Sequence, residues 1–158
     1  MKRHLSDVGS WMTAPALTIH PQASLFEAYN LMYENDVRRL PVVDRDGALV
    51  GILTMSDVQQ AAPIAPGDDG DTSRRFLVSS QSVEELMTPD PVTVGADDTV
   101  QDAAERMLEY EISGLPVTEG EKVIGIITES DIFRLVVESW SRVVSEEPAR
   151  IAQVMPVR

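Results

Sequence analysis

Two segments with helical hydrophobic spacing stand out along the chain. Behind Ser24, apolar residues recur at intervals of three and four, which predicts an amphipathic helix that the serine caps. The apolar positions of this helix are Leu25, Ala28, Tyr29 and Met32. The same spacing follows Thr99, and its apolar positions are Val100, Ala103, Ala104 and Met107. We expect both stripes to face a core.

Short apolar runs flank the first helix and predict strands. Residues 17–19 precede it, and 40–43 and 49–54 follow it, separated by a turn in which Asp46-Gly47 supplies the left-handed backbone position. Ser56-Asp57 is then expected to begin a second helix. The predicted order is therefore β-α-β-β-α. After residue 133 the helical spacing continues, which predicts a C-terminal helix that ends near Pro148.

This plan occurs twice, because the chain repeats itself. Met12-Thr13 returns 75 residues later as Met87-Thr88, and the triplet Leu-Pro-Val at 40–42 returns at 115–117. The heptapeptide GILTMSD at 51–57 returns 74 residues later as GIITESD at 125–131. We predict domains at 8–58 and 83–133, a polar linker at 59–82, and a C-terminal helix and tail at 134–158. Each copy, near fifty residues, would be only marginally stable alone, so the two are expected to share a core.

Charge and composition exclude several function classes. The net charge of −13 over 158 residues repels polyanions, so no nucleic-acid partner is expected. The chain has no cysteine and two histidines, His4 and His20, which excludes disulfides, thiolate zinc sites and a histidine-rich metal site. Apolar runs such as 49–53 are too short to cross a bilayer, and no apolar segment follows the basic residues at 2–4. We therefore expect a cytoplasmic protein without a membrane partner.

The duplicated heptapeptide carries the strongest candidate chemistry. A strand that ends at the threonine, followed about two residues later by a helix, would direct free N–H groups and the positive helix end outward. A carboxylate three residues after the threonine, Asp57 or Asp131, can accept hydrogen bonds from the two vicinal hydroxyls of a ribose. The alternative for each aspartate is a helix-capping carboxylate. Two copies of the motif favour ligand binding.

A second candidate is the arginine pair Arg38-Arg39, which directly precedes the predicted strand at 40–43. Arginine forms bidentate contacts with phosphate oxygens. The alternative is a pair of surface arginines that neutralise nearby acids such as Glu34 or Asp36. The second repeat has Ser113-Gly114 at these positions, which puts phosphate binding through that segment in doubt.

Together, the repeated Met-Thr, Leu-Pro-Val and Gly-φ-φ-Thr-x-Ser-Asp motifs resemble the CBS domain, and the resemblance covers nearly all of the chain outside the linker and tails. It implies an α/β (α+β) fold, with two β-α-β-β-α CBS repeats packed through their sheets into one pseudo-two-fold Bateman module with two related clefts. It also implies adenosine ligands in the clefts.

The resemblance further implies a role for each matching residue. It assigns the ribose to Asp57 and Asp131. It assigns ribose or phosphate to Thr54 and Thr128, and phosphate to Arg38 and Arg39. Along the cleft walls it places Thr13, Thr88 and Ser113, and against the adenine it places Val37 and Ile112. Whether the arginines serve their own cleft, the neighbouring one or a dimer partner stays open.

The function expected from this set is a regulatory module that binds AMP, ADP, ATP or S-adenosylmethionine in clefts between the two CBS repeats, with no cofactor, no metal and no enzymatic activity. The alternative is a structural dimerisation module with degenerate clefts. A homodimer is expected because apolar stripes at 8–12 and 132–144, which carry Trp11 and Trp140, exceed what one module covers. The alternative is that both tryptophans pack inside the monomer. An effector protein, not identifiable from this chain, is a further possible partner.

Overall fold

The computed structural model describes residues 7–62 and 80–154, with side chains described up to residue 143. The helices are α1 (Val8–Trp11), α2 (Leu25–Glu34), α3 (Met55–Ala61), α4 (Val83–Leu86), α5 (Val100–Glu109) and α6 (Glu129–Val154). The strands are β1 (Arg39–Val43), β2 (Leu49–Thr54), β3 (Thr88–Pro89), β4 (Val94–Gly95), β5 (Gly114–Glu119) and β6 (Lys122–Thr128). The predicted domain and linker boundaries stay predictions. The helix α3 continues to Ala61, and residues 63–79 of the predicted linker lie outside the described ranges.

The two long amphipathic helices begin where the sequence predicts. Ser24 accepts a hydrogen bond from the Glu27 N–H, and the Glu27 carboxylate accepts one from the Ser24 N–H. Thr99 and Asp102 form the same reciprocal pair at the start of α5. These capping boxes satisfy N–H groups that the first helical turn leaves without partners. The predicted apolar positions Leu25, Ala28 and Met32 are buried.

The strands form two three-stranded sheets, in the orders β1-β2-β3 and β4-β5-β6. In the first sheet β1 and β2 pair antiparallel, and in the second β4 runs parallel to β5, which pairs antiparallel with β6. The strand predicted at 17–19 is wrong in its extent, because only Ile19 forms a bridge, to Val42. Its ladder stops at Pro21, which has no N–H to donate, whereas the equivalent position in the second repeat is Ala96. The predicted turn is confirmed, with Gly47 at φ +80°.

The leading segments of the two repeats are exchanged. The strand β3, at the start of the second repeat, pairs with β2 of the first, and Thr13 of the first repeat pairs with Ile126 on β6 of the second. The short helices follow the same rule. Val8 on α1 belongs to the core of the second repeat, and Val83 on α4 belongs to the core of the first. The exchange is reciprocal and ties the repeats into one unit.

The glycines of the duplicated heptapeptide make this exchange possible. A Cβ at Gly125 would lie 2.6 Å from Met12 Sδ and 2.9 Å from the Thr13 carbonyl oxygen. A Cβ at Gly51 would meet the Met87 side chain and lie 3.0 Å from the Thr88 carbonyl oxygen. The leading segment of one repeat therefore packs directly on the backbone of the other. This explains why Met-Thr and the Gly-led strand recur together in the sequence.

The C-terminal helix α6 is longer than predicted. It runs from Glu129 to Val154, so the prediction that it ends near Pro148 is wrong. A proline removes one N–H donor from a helix, and here the helix continues through that loss. Trp11 packs against the second core, which corrects the expectation that it lies on an uncovered stripe, whereas Trp140 is 69% exposed. Among the described helices, α6 included, none combines the length and apolar character needed to cross a membrane.

Candidate functional site

Asp57 and Asp131 sit at the two points where a sheet strand passes into a helix. Thr54 is the N-cap of α3, so the helix begins directly after it rather than two residues later as predicted. Asp57 Oδ2 accepts hydrogen bonds from the Thr54 N–H and hydroxyl, both at 2.8 Å. Asp131 Oδ2 accepts the same pair from Thr128, at 2.9 and 3.3 Å. Both aspartates are thus capping carboxylates, and each keeps a second oxygen that the cap does not use.

The residues just before β1 and just before β5 are positioned by the same type of turn. Helices α2 and α5 are each followed by a residue in the left-handed region, Asp36 at φ 51° and Glu111 at φ 53°. The next N–H, that of Val37 or Ile112, donates back to the helix at 3.0 Å. This six-to-one hydrogen bond is the Schellman helix ending. It places Val37 and Ile112 at equivalent positions beside the two strand-to-helix junctions.

One cleft of about 400 Å³ draws its walls from both repeats. The first repeat contributes Arg39, Ile52 and Thr54. The second repeat contributes its leading segment and the turn before β5, namely Thr88, Asp90, Pro91, Val92, Tyr110, Glu111, Ile112, Ser113 and Gly114. The mixing follows from the strand exchange, because β3 lies beside β2. The structure therefore brings together five of the predicted site residues: Arg39, Thr54, Thr88, Ile112 and Ser113.

A second, more polar cleft of about 380 Å³ shares Arg39, Thr54 and Ser113 with the first. It is completed by the starts of helices α3 and α6 and by the other arginine, and these further residues are Arg38, Met55, Ser56, Thr128, Glu129 and Ser130. Two arginines thus stand in the cleft between two helix N-termini, an arrangement that favours anionic groups. Glu129 is the opposing charge. We call the two clefts together the inter-repeat cleft.

Arg39 crosses from its own repeat to the other. Its Nη2 donates a hydrogen bond to Ser113 Oγ, and its side chain lies over Gly114, where a Cβ would stand 2.6 Å from Arg39 Cδ. Burial lowers the pKa of the Arg39 guanidinium and neighbouring Arg38 adds to this, whereas the charge of Glu129 raises it. Arginine keeps its charge at neutral pH regardless. In the sequence, Ser113-Gly114 replaces the arginine pair of the first repeat. In the structure, these two residues contact the Arg39 side chain.

The other predicted site residues lie outside the walls of the inter-repeat cleft. Thr13 is exposed beside Ile126, Val37 packs against the first core, and the two aspartates stand one helical turn behind the cap threonines. Sequence reasoning missed the segment Asp90, Pro91 and Val92, and the turn at Tyr110 and Glu111. The duplicated position of Thr13 and Thr88 signalled the first of these. Only the left-handed backbone of Glu111 marks the second, and a sequence does not display it.

Comparison with known proteins follows the same division of the chain. The family model of the CBS domain matches residues 5–63 and 83–138. The CBS domain-containing protein YhcV of Bacillus subtilis is 30% identical over 128 residues, which are 81% of this chain and 84% of that protein. L-aspartate semialdehyde sulfurtransferase of Methanocaldococcus jannaschii is 32% identical over 136 residues. The chain spans only 24% of the length of that enzyme, and the same share of two homoserine O-acetyltransferases.

Solved structures agree with this assignment. The CBS domain pair of protein MJ0100, in complex with 5-methylthioadenosine and S-adenosyl-L-methionine, is 31% identical with a TM-score of 0.71 and covers 84% of this chain and 97% of its own. CBSX2 of Arabidopsis thaliana, in complex with AMP, is 30% identical with a TM-score of 0.71 and the same coverage. With two family matches, one on each side of the linker, this chain belongs to the CBS domain family as a tandem pair.

Proposed function

We propose that this chain is a regulatory module that binds an adenosine ligand in the inter-repeat cleft and has no catalytic role of its own. The observation that carries the proposal is the convergence of Arg39, Thr54, Thr88, Ile112 and Ser113, which come from both repeats, on one cleft. A ligand there contacts both repeats at once. Its binding therefore favours one arrangement of the two repeats, which is the physical requirement for a regulatory response.

The chemistry of the cleft fits the parts of a nucleotide. Ile52, Val92 and Ile112 offer apolar surface for a purine ring. Asp57 lies one helical turn behind the cleft-lining Thr54, outside the cleft walls themselves, and keeps its Oδ1 oxygen for ribose hydroxyls. Arg38 and Arg39 supply the positive charge for phosphate in the more polar part. The similar structures are in complex with AMP, 5-methylthioadenosine and S-adenosyl-L-methionine, which supports an adenosine core as the shared ligand feature.

Ligand binding is expected to stabilise the fold. At 100 times its dissociation constant, a ligand of the folded state adds about 2.7 kcal/mol to the free energy of unfolding. This corresponds to a rise in Tm of about 5–10 °C. Thermal-shift measurements with AMP, ADP, ATP, S-adenosylmethionine and 5-methylthioadenosine test it, with guanosine monophosphate as the control purine. Silence of all five adenosine compounds at millimolar concentration would contradict the proposal and favour the degenerate dimerisation module.

We also propose that the chain forms a homodimer through α6. Along this helix Phe133, Val137 and Trp140 are 66%, 59% and 69% exposed and lie four and three residues apart, on one face. The spacing is that of a helix-pairing seam, and a second copy presents the same face. Sedimentation equilibrium should give a dimer for the parent and a monomer for Trp140→Glu. A parent mass that stays monomeric at high concentration would refute this. The cytoplasmic location and an effector partner stay predictions.

A further inference from the structure

The two capping aspartates differ in their second oxygen. In each, Oδ2 is held by the cap threonine, so Oδ1 is the atom left for a ligand. Asp131 Oδ1 accepts a hydrogen bond from Arg134 Nη1 at 3.1 Å. Within the described ranges, Asp57 Oδ1 has no hydrogen-bond partner. The two repeats therefore do not offer equivalent carboxylates.

The difference has a simple cause in the sequence. Arg134 lies three residues after Asp131 on α6, where the two side chains meet on one helix face. The equivalent position three residues after Asp57 is Gln60, which is exposed. A glutamine carries no charge with which to hold the carboxylate. The two heptapeptides share their motif, but the third residue after each one differs, being Gln60 in the first repeat and Arg134 in the second.

Burial strengthens the contrast. The Asp131 side chain is 5% exposed, whereas that of Arg134 is 58% exposed. Both oxygens of a buried carboxylate are thus hydrogen-bonded, as a buried charge requires. Ribose hydroxyls would reach Asp131 only if Arg134 left, and its departure would break an ion pair with a buried partner. Asp57 is half-buried and needs no such exchange.

We propose that Arg134 occupies the Asp131 carboxylate and closes it to ribose, so that the chain binds one adenosine ligand, through Asp57. Arg134 is thereby a specificity-determining residue that sets the stoichiometry of the module. This inference rests on the proposed function. It adds that, although both repeats carry the motif, only one of the two aspartates is open to ribose hydroxyls.

Titration calorimetry with 5-methylthioadenosine tests the inference without involving phosphate. The parent should bind one ligand per chain, and Arg134→Gln, which copies the first repeat, should bind two. Arg142→Gln removes the same charge from an exposed position on the same helix and should still bind one. The reverse change, Gln60→Arg, should place an arginine on Asp57 and weaken the parent site about 10-fold. Circular dichroism checks the fold of each variant.

The outcomes separate the two proposals. If the parent binds one ligand and both Arg134→Gln and Gln60→Arg leave stoichiometry and affinity unchanged, the ion pair is structural only and the inference is overturned. Two ligands per parent chain would overturn it as well. If neither the parent nor Arg134→Gln binds any adenosine compound, the proposed function fails, and this inference fails with it. Should Arg134→Gln not fold, Gln60→Arg decides alone, because its site is exposed.

Discussion

Replacing Asp57 by alanine should weaken the binding of every adenosine ligand by roughly 100-fold or more, whether or not the ligand carries phosphate. The two vicinal hydroxyls of a ribose can each donate to the carboxylate. A hydrogen bond to a charged group contributes about 1.5–3 kcal/mol, and 1.4 kcal/mol is a factor of ten in affinity. Titration calorimetry with adenosine, AMP and ATP measures the loss.

The substitution also removes a helix cap, so it needs a control that loses the cap alone. Asp102 provides one, because it holds the N–H and hydroxyl of Thr99 at 2.9 and 2.7 Å, as Asp57 holds Thr54 at 2.8 Å for both. Asp102 lies on α5, and its cap partner Thr99 does not line the inter-repeat cleft, whereas Thr54, the cap partner of Asp57, does. We expect Asp57→Ala and Asp102→Ala to lower Tm by a similar few degrees, and only the first to lose ligand. Equal binding by both variants would show that Asp57 is a cap and nothing more.

The repeat fixed much of what could be predicted about the fold. The apolar spacing, the cap residues Ser24 and Thr99, and the Asp-Gly turn are local signals, and each element they predict is present. Two of the errors concern prolines, which lack a backbone N–H donor. Pro21 shortened a strand to one bridge, and Pro148 did not end its helix. A proline changes a single hydrogen bond, and its consequence depends on what the neighbouring residues do.

The sequence could predict part of the cleft lining, but it missed the segment at 90–92 and the turn at Tyr110 and Glu111. Motif matching selected Arg39, Thr54, Thr88, Ile112 and Ser113, and all five line one cleft. The resemblance implied clefts between the two repeats, but it could not show that an exchange of β3 and of the segment at Thr13 forms them, because that exchange is a tertiary pairing. Nor could it show that Gly114 leaves space for Arg39, since the contact joins residues 75 positions apart. Contacts of this kind are set by packing, not by local pattern.

The second large effect is expected at the arginines. Arg38→Ala with Arg39→Ala should weaken AMP, ADP and ATP by roughly 10- to 150-fold while leaving adenosine nearly unchanged, because one charged hydrogen bond contributes about 1.5–3 kcal/mol. Of the two single variants, Arg39→Ala should lose more nucleotide affinity than Arg38→Ala. The reason is that Arg39 lines both parts of the inter-repeat cleft and Arg38 only the more polar part. Arg45→Ala, in the exposed β1–β2 turn, controls for net charge. Equal loss of adenosine and AMP would contradict the phosphate role.

The position of the Arg39 charge can be tested without removing it. A Cβ at Gly114 would stand 2.6 Å from Arg39 Cδ and 2.9 Å from Arg39 Nε, so Gly114→Ala must displace the Arg39 side chain from its contact with residue 114. The guanidinium charge remains in the cleft, but the hydrogen bond from Arg39 to Ser113 and the orientation that it gives the guanidinium are lost. We expect AMP affinity to fall less than in Arg39→Ala, and adenosine affinity to stay that of the parent. If Gly114→Ala binds AMP like the parent while Arg39→Ala does not, the arginine charge alone is enough for AMP binding. The contact of Arg39 with Ser113 and Gly114 then has no part in it.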